Sequence, residues 1–176
     1  MLRLSKEHVK CAPSTARRIY LASPWFNDAQ MQRMQDTLQV LREVWESQGE
    51  NRRVYAPYYD LLCPPDADEE TRDKVYEANV RESAYSDIIV AVTDEKDLGT
   101  IFELGYSACA RDVSLVNPDS VEDVAGPVLV GVALTLGDRP FNLMLAKGLD
   151  VVCRTLGELR AYLEFGAIPD QSNLIE

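Results

Sequence analysis

The segment Asp87-Ile88-Ile89-Val90-Ala91-Val92 constrains the fold more than any other part of this chain. After the aspartate every position is apolar and most are β-branched, with no polar alternation, which is the pattern of a strand buried on both faces. Such strands belong to parallel sheets sandwiched between helices. The segment is therefore expected to be the central strand, with residues 93–99 as the loop at its carboxyl end and a helix from Thr100 to Ala110 beyond it. In open parallel sheets, ligands settle outside the carboxyl ends of the strands. Asp94, Asp97 and Glu103 are candidate site residues on position alone.

The rest of the chain fits the same architecture. Arg18 to Ala22 reads as a short buried strand closed by Ser23-Pro24, and a helix follows that Asn27 or Asp28 can cap. Met31, Met34, Leu38, Leu41 and Trp45 step along one face of that helix and are expected to pack on the sheet. Val54-Tyr55-Ala56 is a second strand, residues 57–70 form a loop rich in Pro and Asp, and a helix runs from Glu69 to about Ser86 with Asn79 near its buried side. Val113 to Val116 and Val128 to Leu134 both qualify as the fourth strand, separated by an acidic insert at 117–127. Gly137 to Pro140 makes a turn, Asn142 to Lys147 a short helix, and Val151-Val152-Cys153 a last strand. Thr155 and Glu158 then open a final helix as a capping box, with Leu156, Leu159, Tyr162 and Leu163 on its apolar face. Alternating strands and helices predict an α/β fold, a doubly wound, flavodoxin-like, mostly parallel sheet of about five strands with helices on both faces.

Composition narrows the function classes. A length of 176 residues suits one domain at 17–176 behind an N-terminal extension at 1–16. Eighteen Lys and Arg against 29 Asp and Glu give a net charge of −11, which opposes binding of nucleic acid polymers and anionic membranes. No stretch reaches the roughly 20 apolar residues of a membrane span, and charges interrupt the first ten residues, so a cytoplasmic protein is expected. Cys11, Cys63, Cys109 and Cys153 are scattered and His8 is the sole histidine, which argues against a zinc site, a disulfide framework or a histidine-dependent triad. No metal and no cofactor are expected. A carboxylate at position 103, near the start of a helix, could do chemistry or simply complement the helix dipole.

The segment Asp97-Leu98-Gly99-Thr100-Ile101-Phe102-Glu103-Leu104-Gly105-Tyr106 resembles the D-x-G-x-x-x-E-L-G-Y signature of the nucleoside 2-deoxyribosyltransferases. Three further segments are similar to that family in the same order: Ile19 to Phe26, Asp73-Lys74-Val75 with Asn79 and then Ser86 to Ile89, and Pro140-Phe141-Asn142-Leu143-Met144. The resemblance implies an enzyme that moves 2-deoxyribose between bases, with Glu103 as nucleophile. Breaking an N-glycosidic bond passes through an oxocarbenium-like sugar, which a carboxylate below the ring can trap as an ester. Tyr20 would aim and ionise Glu103, Asp97 would accept from the sugar hydroxyls, and Trp25 and Phe26 would line the base pocket. Asn142 and Met144 would reach the site from a neighbouring subunit, so the implied partners are a 2′-deoxynucleoside, a free nucleobase and further copies of the chain in a homo-oligomer. Asn79 departs from the pattern, since many members carry an aspartate there to protonate the leaving base and an amide is no general acid. Asp94 is a substitute in principle, although a solvated loop acid is the simpler reading.

Two other readings stay open. A nucleoside or nucleotide N-glycosidase would resolve the same ester with water, but the enzymes that grip a 5′-phosphate carry a small, basic loop after the first strand, and here it is Ser23-Pro24-Trp25-Phe26-Asn27-Asp28. A non-catalytic nucleotide sensor on the same sheet would not need Tyr20, Asp97 and Glu103 together. A Rossmann oxidoreductase is disfavoured because no G-x-G-x-x-G follows a strand.

Overall fold

The computed structural model describes residues 16–49, 51–116, 128–134 and 141–175, with all side chains in these ranges except those of 112–116. The strands β1 (Arg18–Ala22), β2 (Arg53–Tyr55), β3 (Ile88–Val92), β4 (Val128–Val132) and β5 (Val151–Cys153) form one sheet in the order β2-β1-β3-β4-β5. Every neighbouring pair is parallel. This is the doubly wound order, in which chain direction across the sheet reverses between β1 and β3 and opens a crevice at their carboxyl ends.

The helices are α1 (Asp28–Trp45), α2 (Pro57–Asp60), α3 (Glu69–Ala84), α4 (Leu98–Val116), α5 (Leu143–Gly148) and α6 (Leu156–Phe165). Period-two alternation sorts the strand side chains between two layers. Ile19, Leu21, Val54, Ile88, Val90, Val92, Val130 and Cys153 meet Met34, Leu38, Leu41 and Trp45 of α1 and Leu159, Tyr162 and Leu163 of α6. Tyr20, Ala22, Tyr55, Ile89, Ala91 and Val152 face the other way, onto Leu104 of α4 and Ala146 of α5. At Gly131 on this second face, a Cβ would stand 2.8 Å from Leu149 Cδ1, so glycine lets the end of α5 lie close on β4.

Side-chain caps start the helices where the sequence suggests. Asn27 accepts from the Gln30 N–H, Asp68 from Thr71 and Thr155 from Glu158. The Glu158 carboxylate reaches back to the Arg154 N–H, one residue before the cap, rather than to the cap itself. Two expectations need correction. Val113 to Val116 is not a strand but the last turn of α4, which begins at Leu98 rather than Thr100; the fourth strand is Val128–Val132. Four residues, three of them apolar, are too few for periodicity to separate strand from helix. Residues 1–15 of the extension at 1–16, the insert at 117–127 and the turn at 137–140 lie outside the described residues. Among the described residues no helix is long and apolar enough to cross a membrane.

Asp87, just before β3, ties the amino-terminal edge of the sheet. Its Oδ2 accepts from the Arg17 and Arg18 N–H groups at 2.7 and 2.8 Å, and its backbone N–H donates to the Arg18 carbonyl. Asp87→Ala is expected to cost about 1 to 3 kcal/mol through two lost charge-assisted bonds. Urea denaturation measures this, and an unchanged midpoint would contradict it.

Candidate active site

Tyr20 stands in the middle of β1 with its side chain on the second face, fully buried. A buried phenol needs a partner for its hydroxyl. It donates to Glu103 Oε1 at 2.6 Å. Glu103 reaches it because Thr100, Glu103, Leu104 and Ser107 share the sheet-facing side of α4; Thr100, Leu104 and Ser107 are buried and Glu103 is partly buried. Glu103 is the sixth residue of α4 rather than part of its first turn, where the helix dipole acts most strongly. Dipole complementation therefore does not explain its place.

Burial pushes the Glu103 carboxyl up to about 7, the nearby charge of Asp97 pushes in the same direction, and the Tyr20 hydrogen bond pulls against both by favouring the ionised form. Tyr20 itself is held far above the ordinary phenol value, first by burial and then by the Glu103 charge. The proton of the pair thus stays on the phenol while the carboxyl titrates near neutrality. At neutral pH the carboxyl is therefore divided between its protonated and ionised forms, a displacement that marks the pair as a candidate functional site.

Asp97 caps α4, its Oδ2 accepting from the Thr100 N–H at 2.9 Å and the Thr100 hydroxyl at 3.1 Å. A Cβ at Gly99 would lie 3.2 Å from that same oxygen, so a larger residue there would press on the capping carboxylate. Asp94, expected as a solvated loop acid, is instead fully buried, and its Oδ2 accepts from the Leu134 N–H beyond β4. It ties two strand ends together.

Tyr55 was not singled out by sequence as a site residue. β2 pairs with β1 in a register that sets Tyr55 beside Tyr20, and the rings stack with centroids 5.6 Å apart. The Tyr55 hydroxyl donates to Asn79 Oδ1 at 3.0 Å, so α3 joins the cluster through Asn79. Glu82, one turn further along α3, adds negative charge near both phenols.

Trp25 and Phe26 follow β1 at the mouth of the crevice. Trp25 packs on the first core layer and touches both Phe26 and Tyr58, each at 5.8 Å between centroids, while Phe26 is exposed. Asn142 caps α5 through its Oδ1, which accepts from the Leu145 N–H, and Met144 is 80% exposed. The fold thus gathers Glu103, Asp97, Tyr55 and Asn79 around Tyr20 of β1, whereas Asn142 and Met144 present themselves to the outside. Clefts between α5 and residues 171–175 and between α1 and Tyr59 touch none of these side chains. Among the described residues no cluster of His, Cys, Asp and Glu could hold a metal ion.

Residues 19–144 match the family profile described as nucleoside 2-deoxyribosyltransferase. No curated protein sequence matches the chain significantly. A solved structure of a 2-deoxyribosyltransferase from the psychrotolerant bacterium Bacillus psychrosaccharolyticus shares the fold, with a TM-score of 0.64 and 24% identity over 82% of this chain and 91% of that one. A conserved protein from Enterococcus faecalis V583 aligns with a TM-score of 0.49 and 16% identity over 82% of this chain and 86% of that one.

A carboxyl raised from 4.5 to about 7 keeps its proton in the folded chain at pH values where the unfolded chain has lost it, so folding stability falls as pH rises through that window. Glu103→Gln removes this penalty. The variant is expected to be more stable than the parent by about 2 to 3 kcal/mol near pH 8, with most of the difference gone near pH 5. Urea melts at the two pH values check it, and an equal difference at both would contradict the burial argument.

Proposed function

The chain belongs to the nucleoside 2-deoxyribosyltransferase family, and on that premise we propose that it exchanges the base of a 2′-deoxynucleoside through a deoxyribosyl ester on Glu103. The observation that carries this reading is the Tyr20–Glu103 hydrogen bond, which joins the middle of β1 to α4. Oε1 holds the phenol, which leaves Oε2 to attack C1′ from below the ring. As the O–C1′ bond forms, the C1′–N bond breaks and its electron pair leaves with the base. An acceptor base then attacks C1′ from the opposite side, loses its N–H proton and returns the carboxylate. Two inversions retain the anomeric configuration.

The neighbouring residues divide the remaining work. Asp97 spends Oδ2 on its cap and offers Oδ1 to the sugar hydroxyls. Trp25 and Phe26 flank the base. Asn79, oriented by Tyr55, hydrogen-bonds the base edge but gives up no proton, so the departing base takes its proton from solvent. Asn142 and Met144 belong to the site of a neighbouring copy, which suits a methionine standing 80% exposed. The proposed assembly is a homo-oligomer of at least two chains, each with a catalytic unit at 17–176, working in nucleoside salvage in the cytoplasm. The loop after β1 carries no basic side chain for a 5′-phosphate, which favours nucleosides over nucleotides.

A chromatographic assay with a 2′-deoxynucleoside and a different free base tests the reading. The expected result is the exchanged nucleoside with unchanged anomeric configuration, lost by a factor of about 10³ or more in Glu103→Ala. Consumption of nucleoside without an exchanged product would assign the chain to hydrolysis instead.

A further inference from the structure

The loop between β3 and α4 has an unusual backbone. Glu95 and Lys96 both adopt positive φ, 65° and 52°, a left-handed conformation that non-glycine residues rarely take, and neither is Asn, Asp or Gly. Such conformations persist where surrounding contacts enforce them, and they gather at functional loops. Here the enforcing contacts come from α1. The Gln30 side-chain amide donates to Glu95 Oε2 at 2.6 Å, and the Arg33 guanidinium pairs with Glu95 Oε1.

Gln30 also faces the other way. Its Oε1 accepts from the Phe26 backbone N–H at 2.8 Å, and the side chain is buried although it is polar and uncharged. One glutamine therefore joins the loop after β1, which carries Trp25 and Phe26, to the loop after β3, which carries Asp97 two residues beyond Glu95. These are the loops on either side of the crevice where the strand order reverses. A half-exposed ion pair contributes little to stability by itself. Holding a strained turn in register is a different task, and the contacts suit it.

We infer that Gln30, Arg33 and Glu95 form a clasp that positions the two substrate loops relative to each other. None of the three touches the Tyr20–Glu103 pair; they act through Phe26 and Asp97 as positioning residues, and the inference rests on the proposed site in that respect. With the clasp intact, the base-flanking aromatics and the sugar-binding carboxylate are held at one spacing. Without it, each loop moves independently and substrate is held less well, while the reacting carboxylate on α4 stays in place.

The test combines two readouts on the full chain. In Glu95→Ala, hydrogen exchange of the Phe26 amide, on a loop that Glu95 does not belong to, is expected to quicken about tenfold, because Gln30 loses its second anchor. In the exchange assay, Glu95→Ala and Gln30→Ala are each expected to raise KM for the nucleoside about tenfold with kcat changed less than about threefold, and the double variant to be no worse than either single one. Glu95→Gln, which keeps an acceptor for Gln30, restores most of the KM. Glu95→Gly relieves the backbone while removing the clasp, so it serves if Glu95→Ala does not fold. A lowered melting temperature with unchanged KM and unchanged Phe26 exchange would overturn the inference. If the parent chain exchanges no bases at all, the proposed function fails alone, and the Phe26 amide still decides whether the loops are coupled.

Discussion

Placing a tyrosine in a strand covered on both faces forces a choice on the structure around it. Tyr20 has no access to water, so its hydroxyl must be satisfied by protein, and the group that satisfies it is a carboxylate from α4. That one hydrogen bond then determines much else. It draws Glu103 into a partly dry environment, where burial brings its titration to about 7, and it occupies one of the two carboxyl oxygens. The same bond favours the anion that burial disfavours. The balance between the two sets how much of the carboxyl is ionised at neutral pH.

The second contribution is topological. In the order β2-β1-β3-β4-β5 the connections from β1 and β3 leave on opposite faces, and the loops after these strands part to leave a crevice. α1 begins beside the first loop and α4 ends the second. Residues that cap α1 and α4, Asn27 and Asp97, are thus also residues at the mouth of the crevice. Asp97 is the clearest instance of a proposed shared duty: one oxygen starts a helix, and the other is proposed to accept from a sugar.

Much of this was legible in the sequence where burial leaves an unbroken apolar signal. β1, β3 and β5 could be read almost to the residue because both faces of each are covered, and α1 because its apolar side repeats at helical spacing. The ten-residue motif around Glu103 marked the candidate carboxylate and its family. Register was not legible, so Tyr55, which stands beside Tyr20 only once β2 pairs with β1, went unnoticed. Asp94 looked like an ordinary loop acid because nothing local reports that Leu134 N–H waits for it across the sheet. The end of α4 was read as an alternative strand because Val113 to Val116 is too short to show a period. Gln30 and Glu95 lie 65 residues apart and are each unremarkable in sequence; only the folded chain brings them together.

In the proposed reaction the carboxylate held by Tyr20 becomes covalently bonded to the sugar. Acid quenching of the protein during turnover with a 2′-deoxynucleoside and no acceptor base, followed by mass spectrometry of the intact chain and its peptides, addresses it most directly. One deoxyribosyl group is expected on the peptide containing Glu103, discharged as a new nucleoside when free base is added before the quench. Turnover with no adduct on that peptide, or an adduct on another residue, would contradict it.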